Sequence, residues 1–137
     1  MDTHTTSLVR ESFDLLEPIA PQAAALFYSN LFARDPSLRS LFTGDMTQQG
    51  ARLMQMIATA VGKLDEPEVL LPVLRQLGQR HAGYGVRDAH YDTVGAALLD
   101  TLATGLGVAW TPEVRAAWVE VYGVLASTMK DAARVTA

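Results

Sequence analysis

Two polar side chains occupy positions where a helical pattern predicts apolar ones. Gln49 begins a face that otherwise repeats apolar residues every three or four positions, and His81 ends another such face. An unpaired polar group that faces a protein core costs free energy, so both side chains need a hydrogen-bond partner or a functional role. A neutral imidazole is a good metal ligand. A carboxamide, or a phenol such as that of Tyr28 on a third apolar face, can donate a hydrogen bond.

Each of these three residues also has a purely structural interpretation. An inward histidine is commonly a core residue that bonds to a backbone carbonyl. A glutamine at a helix start is commonly a cap or a surface residue, and a tyrosine on an inner face packs its ring and satisfies its hydroxyl nearby. Taken singly, none of the three establishes a cofactor.

The elements that would carry these residues are helices throughout. Six stretches repeat apolar residues at spacings of three and four, and none alternates in the manner of a strand. The repeats cover residues 9–16, 24–31, 49–60, 70–81, 91–105 and 118–129. The sequence therefore predicts an all-α domain of about six to eight helices.

Prolines and glycines fall between these stretches, because a residue before proline is pushed out of the helical region and glycine commonly ends helices. The predicted boundaries lie at Pro18 and Pro21, at Asp35-Pro36, at Asp65-Glu66-Pro67, at Gly83 and Gly85, and at Thr111-Pro112. Thr47 is the predicted cap of the third helix. Thr111 followed by Pro112 is typical of a helix start.

Length and composition fit one domain over residues 1–137. The chain is 49% apolar and 19% charged, with a formal net charge of −4, so nothing indicates a nucleic-acid or anionic-membrane partner. It has no cysteine, which excludes disulfides, thiolate catalysis and cysteine-ligated clusters. The N-terminus lacks the features of a signal peptide and no apolar run could span a bilayer, so we expect a cytoplasmic protein without a membrane partner.

Several short motifs, taken in order, resemble those of bacterial single-domain globins related to the haem domain of flavohaemoglobins. They are Phe27-Tyr28, Asp35-Pro36 followed by Leu41-Phe42, Gln49 four residues before Leu53, Arg80-His81 followed by residues 84–86 and 90–95, and residues 117–118 and 122–126. The matches run from about residue 8 to residue 129. The likeness extends to the Hell's Gate type, which combines a distal tyrosine with a distal glutamine.

The resemblance implies a globin fold that sandwiches one haem b, with His81 as the proximal iron ligand. Without cysteine, the haem would be held non-covalently. We expect His4 and His90 to face solvent. The opposite coordination position would stay open for O2, NO or CO, and the ligand-free ferrous form would be five-coordinate because a glutamine ligates iron poorly.

The resemblance also assigns the surroundings of that open position. Tyr28 and Gln49 become donors to bound oxygen, which carries partial negative charge, and such donors strengthen oxygen binding and slow its release. The apolar walls of the haem would be Phe42, Leu53, Leu77 and Val94. These walls would limit the access of water to the iron.

Three further residues keep two interpretations each. By resemblance Tyr91 reaches His81 or a haem propionate, and otherwise it is a buried tyrosine at a helix start. Arg52 and Arg80 pair with propionates, whose geometry a guanidinium matches, or else they are solvated.

The chain departs from flavohaemoglobin in two respects. We expect no reductase domain after residue 137, so flavin and NADH would bind to an external reductase. The family's glutamate, eleven residues after the tyrosine of the final helix, corresponds to Ala133 here. Two hypotheses follow: a nitric oxide dioxygenase served by that reductase, or a non-enzymatic globin for oxygen binding, storage or gas sensing.

Overall fold

The computed structural model describes residues 2–136, and they form helices joined by short turns. Six α-helices follow one another: α1 (Thr3–Leu16), α2 (Ala20–Arg34), α3 (Met46–Gly62), α4 (Pro67–Gly83), α5 (Asp88–Leu106) and α6 (Pro112–Thr136). Short 3₁₀-helices, at Glu17–Ile19, Pro36–Leu41 and Gly107–Ala109, follow α1, α2 and α5. The described residues contain no strand, which confirms the all-α prediction.

Prolines begin two of the helices where the sequence predicts them. α4 begins at Pro67 and α6 at Pro112, because the first helical position does not need the N–H that proline lacks. Thr111 Oγ1 accepts a hydrogen bond from a backbone N–H of the first turn of α6 at 3.2 Å, which confirms its predicted capping role.

The predicted cap of α3 is wrong. Asp45 precedes the helix with extended backbone, and its carboxylate accepts hydrogen bonds from the N–H groups of Thr47 at 2.8 Å and Gln48 at 3.3 Å. Thr47 already lies inside the first turn, so its own side chain cannot serve the orphan N–H groups that a cap satisfies.

Polar contacts join α2, which carries Tyr28, to α5. Asn30 Nδ2 donates a hydrogen bond to Thr101 Oγ1 at 3.1 Å, and Thr101 Oγ1 donates to a carbonyl of its own helix at 2.8 Å. Arg34 Nη2 donates to the carboxylate of Asp100 at 2.7 Å. The exposed ion pair contributes little energy, but together these contacts set the register of the two helices.

α1 and α6 meet at a buried hydrogen bond in the main core. Trp118 is 2% exposed, and its indole Nε1 donates to Ser12 Oγ at 2.9 Å. Ser12 Oγ donates in turn to the carbonyl of Leu8 at 2.7 Å, so the buried polar atoms of this pair are satisfied.

α4 and α6 cross in direct backbone contact. A Cβ on Gly78 would overlap the carbonyl oxygen of Met129, so only glycine fits at this point of α4. Gly78 is buried and lies one turn before His81. The crossing therefore fixes the last turns of α4 against α6.

We expect Gly78→Ala to lower the free energy of unfolding by about 2 kcal/mol or more, because the added methyl group must push two backbones apart. Urea denaturation of the folded protein measures the change. Gly83→Ala, at the end of the same helix, is the matched control: no neighbouring atom lies within 4 Å of its Cβ. The control should leave stability unchanged or slightly raised, and equal stabilities of the two variants would contradict the close crossing.

Candidate functional site

Tyr28 lies in α2 among aromatic rings. Its ring centroid is 5.2 Å from that of Phe27, 6.0 Å from that of Phe32 and 5.3 Å from that of Phe42. The residue is 8% exposed, and among residues 2–136 its hydroxyl has no hydrogen-bond partner. Burial raises the pKa of Tyr28 to about 12, so the hydroxyl stays protonated at neutral pH and can donate a hydrogen bond.

The rings belong to a second buried cluster, separate from the main core. This Tyr28 cluster consists of Phe27, Tyr28, Leu31, Leu38 and Ala97. Of the four predicted apolar walls, Phe42, Leu53 and Val94 pack against it. Leu77 packs instead against the main core, and Leu98 contacts both clusters.

Gln49 lies in the first turn of α3 and is partly buried. A Cβ on the next residue, Gly50, would lie 2.9 Å from the Cβ of Ala24 and 3.9 Å from Cε2 of Tyr28, so α3 and α2 approach closely here. The structure thus brings Gln49 and Tyr28 to the same level of two neighbouring helices. The carboxamide of Gln49 has no hydrogen bond to any described residue.

His81 lies near the end of α4 and is partly buried. Its Nδ1 lies 2.8 Å from the carbonyl oxygen of Leu77. Because a carbonyl only accepts, Nδ1 carries the proton and Nε2 keeps its lone pair. Burial lowers the pKa of His81, although the hydrogen bond to Leu77 opposes the shift. The imidazole is therefore neutral at pH 7, the form that binds a metal ion.

Comparison with known proteins decides the family. The family model described as Globin matches residues 25–129. The chain belongs to the globin family. It is 32% identical over 133 residues to the flavohemoprotein of Chromobacterium violaceum and 35% identical over 127 residues to that of Bordetella parapertussis. These alignments cover 94% and 90% of this globin but 33% and 31% of the relatives, so the chain spans about a third of their length.

A solved structure agrees with the same assignment. This globin matches an engineered carbene transferase from Rhodothermus marinus with a TM-score of 0.88 and 29% identity, over 99% of this chain and 95% of that one. Globins and flavohaemoglobins bind haem b, and haem b is the cofactor of this globin. Among the described helices of the globin, none is long and apolar enough to cross a membrane.

The residues of this globin fit that cofactor. His81 offers a neutral imidazole whose Nε2 is free, which is the donor that a haem iron accepts from a protein. The Tyr28 cluster offers an apolar wall with one protonated hydroxyl in it. This combination of a single nitrogen ligand and a hydrophobic surround suits haem.

Tyr91, Arg52 and Arg80 leave their two interpretations open. Tyr91 is buried at the start of α5, and its backbone carbonyl accepts a hydrogen bond from the hydroxyl of Tyr122 at 2.6 Å. The Nζ of Lys130 lies 5.7 Å from the centroid of its ring. The hydroxyl of Tyr91 has no partner among residues 2–136, and Arg52 and Arg80 are exposed without an ion pair to those residues. A propionate partner and a solvated side chain both fit these contacts.

Sequence reasoning missed Phe32, and it missed the contacts of Tyr122, a residue that it had placed in a motif of the final helix. Phe32 stacks on Tyr28 with an interplanar angle of 24°, and its position four residues after Tyr28 on one helix face was the available signal. The ring of Tyr122 packs on Gly95, where a Cβ would lie 2.7 Å from Cε2. A glycine one turn after Tyr91 was the only hint of that contact.

His90 does not simply face solvent as predicted. It is partly buried, and its Nδ1 accepts a hydrogen bond from the N–H of Arg87 at 2.9 Å. The ring folds back because the start of α5 exposes backbone N–H groups that need acceptors. His4 is exposed as predicted, and its Nε2 lies 3.5 Å from the carboxylate of Glu113.

We expect His81→Ala to lose haem, or to show an altered absorption spectrum that added imidazole restores, because the cavity left behind admits free imidazole to the iron. Haem content per chain and absorption spectra measure this. His90→Ala removes an imidazole outside the site and should retain a full complement of haem. Unchanged haem content and spectrum in His81→Ala would refute His81 as the ligand.

Proposed function

We propose that this globin binds O2 tightly at a ferrous haem held by His81 and converts nitric oxide to nitrate, with electrons from an external reductase. The observation that carries the proposal is the hydroxyl of Tyr28, which is protonated and has no partner among residues 2–136. A protonated phenol that lies among aromatic rings and has no partner of its own favours a role completed by an incoming acceptor.

The residues near Tyr28 would act on the gas. When bound, haem b supplies the ferrous iron to which O2, NO or CO binds, and we assign Nε2 of His81 as its ligand. The Tyr28 hydroxyl and the Gln49 carboxamide donate hydrogen bonds to the bound gas, most strongly to O2 because it carries the most charge. Both donors are preorganised on packed helices, so they need no rearrangement when the gas arrives.

The apolar and charged residues would hold the cofactor in place. Phe42, Leu53 and Val94, with Leu77, would limit the access of water to the iron and thereby slow its oxidation. We assign Arg52 and Arg80 to the propionates, since a guanidinium pairs with a carboxylate through two hydrogen bonds. Tyr91 is assigned to His81 or a propionate on the same side.

Dioxygenation suits these residues better than delivery of oxygen. One O2 and one NO combine into one nitrate, and each turnover consumes one electron. Two donors slow the escape of O2, which gives NO time to arrive and hinders release to another protein. The similarity to flavohemoproteins, and to a Rhodothermus marinus protein provisionally assigned as a nitric oxide dioxygenase, supports the same choice.

Oxygen binding, storage or sensing without turnover is the alternative, and Ala133 favours it. The family resemblance places a glutamate there to support the proximal histidine, whereas Ala133 is partly buried and offers no polar side-chain atom. Nδ1 of His81 bonds instead to the carbonyl of Leu77. A neutral carbonyl is a weaker acceptor than a carboxylate, so the imidazole pushes less electron density toward the iron.

We expect Tyr28→Phe to raise the O2 dissociation rate roughly tenfold to a hundredfold, because one hydrogen bond to a charged partner is worth about 1.5–3 kcal/mol. The CO dissociation rate should change much less, since bound CO is less polar. Gln49→Leu should act in the same direction and non-additively with Tyr28→Phe if the donors share one network. Stopped-flow ligand replacement measures both gases.

The matched control for that series is Tyr84→Phe. Tyr84 is 67% exposed, so loss of its hydroxyl should alter neither rate. Equal acceleration of O2 and CO dissociation in Tyr28→Phe would show that the ring controls steric access and that the hydroxyl does not bond to O2.

We expect the oxygenated protein to form several nitrates per haem when NO is added together with NADH, a flavin-containing reductase and O2 in excess over haem. Nitrate yield and the return of the ferrous spectrum measure turnover. Tyr28→Phe should reduce the yield, because O2 then escapes before NO reacts. A single nitrate per haem, with no recovery of the ferrous state at any reductase concentration, would favour the non-enzymatic alternative.

A further inference from the structure

Lys130 lies at the crossing of α4 and α6. It directly follows Met129, whose backbone meets Gly78, and Gly78 precedes His81 by one turn of α4. From there its Nζ reaches across to α5 and lies 5.7 Å from the ring centroid of Tyr91, within the range of a cation–π contact. The ammonium is therefore held against the start of α5, and the turn that joins α5 to α4 begins just after His81.

The charges around Lys130 differ in their exposure to solvent. The side chain of Lys130 is 23% exposed, and the carboxylate of Asp92, 3.9 Å from its Nζ, is 86% exposed. Arg134 pairs with Asp88 at 2.6 Å and Asp131 at 2.8 Å, and these three side chains are between 56% and 74% exposed. Water screens the exposed charges most, so the ammonium of Lys130 is the least screened charge of this group.

The ring of Tyr91, against which the ammonium of Lys130 lies, belongs to a segment that is itself held in place. The hydroxyl of Tyr122 donates to the carbonyl of Tyr91 at 2.6 Å, and the ring of Tyr122 fills the space left by Gly95. This arrangement ties α6 to the start of α5. Lys130 consequently has a rigid platform, and its charge keeps a defined position relative to α4.

We propose that Lys130 sets the electrostatic potential on the His81 side of the cofactor and favours the ferrous over the ferric state. The inference rests on the proposed assignment of His81 as the iron ligand. A fixed positive charge disfavours the state that carries the additional positive charge, which here is the ferric one. Lys130 is a positioning and tuning residue that contacts neither the iron nor the gas.

Spectroelectrochemical titration of the haem-loaded protein tests this. Lys130→Met should lower the ferric/ferrous midpoint potential, so that the ferrous-to-ferric ratio at a fixed ambient potential falls on the order of a few-fold. Lys130→Glu should shift it further in the same direction, and Lys130→Arg should keep the original value. The shifts should shrink at high salt because the side chain is partly solvated.

Lys63→Met is the matched control, since Lys63 is the one other lysine of the chain. Lys63 ends α3 just before α4 begins, whereas His81 lies near the other end of α4. The Nζ of Lys63 lies 3.4 Å from the carboxylate of Glu66, and its loss should leave the potential unchanged. Equal potentials for the wild type, Lys130→Met and Lys130→Glu would overturn the inference while leaving the ligand assignment intact. A His81→Ala variant with the native spectrum would instead overturn the assignment of His81 as the iron ligand. The inference about Lys130 would then fall as well, because it rests on that assignment.

Discussion

The backbone contact between α4 and α6 at Gly78 is the constraint on which the His81 side of the molecule depends. With no side chain at Gly78, the two helices meet through the backbone of Met129. That close approach carries Lys130 to the ring of Tyr91 and lets Tyr122 bond to the start of α5. Three helices thus converge around the last turns of α4, and any larger residue at the crossing would loosen all of these contacts together.

The Tyr28 cluster is organised differently. Tyr28 is held by packing alone, among rings contributed by α2 and by Phe42 after the 3₁₀-helix Pro36–Leu41. α3 comes close because Gly50 leaves room for Ala24. Apolar packing of this kind stabilises the fold without engaging the hydroxyl of Tyr28, which has no partner among residues 2–136.

Local features of the fold were predictable from sequence, and features that join distant segments were not. Helix spacing and the starts at Pro67 and Pro112 follow from rules that act within a few residues. The prediction of the α3 cap was wrong because Asp45 and Thr47 are both residue types that cap helices, and the choice depends on where the first turn begins. The bond from Tyr122 to Tyr91 spans 31 residues of sequence and depends on a crossing angle that no local pattern encodes.

The same distinction applies to the candidate site. The family motifs indicated His81, Tyr28 and Gln49 as candidate site residues, because their spacing along helices is visible in the sequence. They did not distinguish a propionate partner from a solvated side chain for Arg52 and Arg80, since long exposed side chains adopt several conformations at little cost. The groups that surround the end of such a side chain decide which partner it binds, and the sequence does not show those groups.

The hydrogen bond from His81 to Leu77 has a consequence for how the protein acquires its cofactor. Both partners lie in one turn of α4, so the imidazole is oriented as soon as that turn is helical. Tyr28 and Gln49 belong to two different helices and reach the same level only when α2 and α3 are packed. Under the proposed assignment of His81, a partly folded chain can therefore present an oriented imidazole before α2 and α3 bring Tyr28 and Gln49 together, and capture of haem need not await completion of the native state.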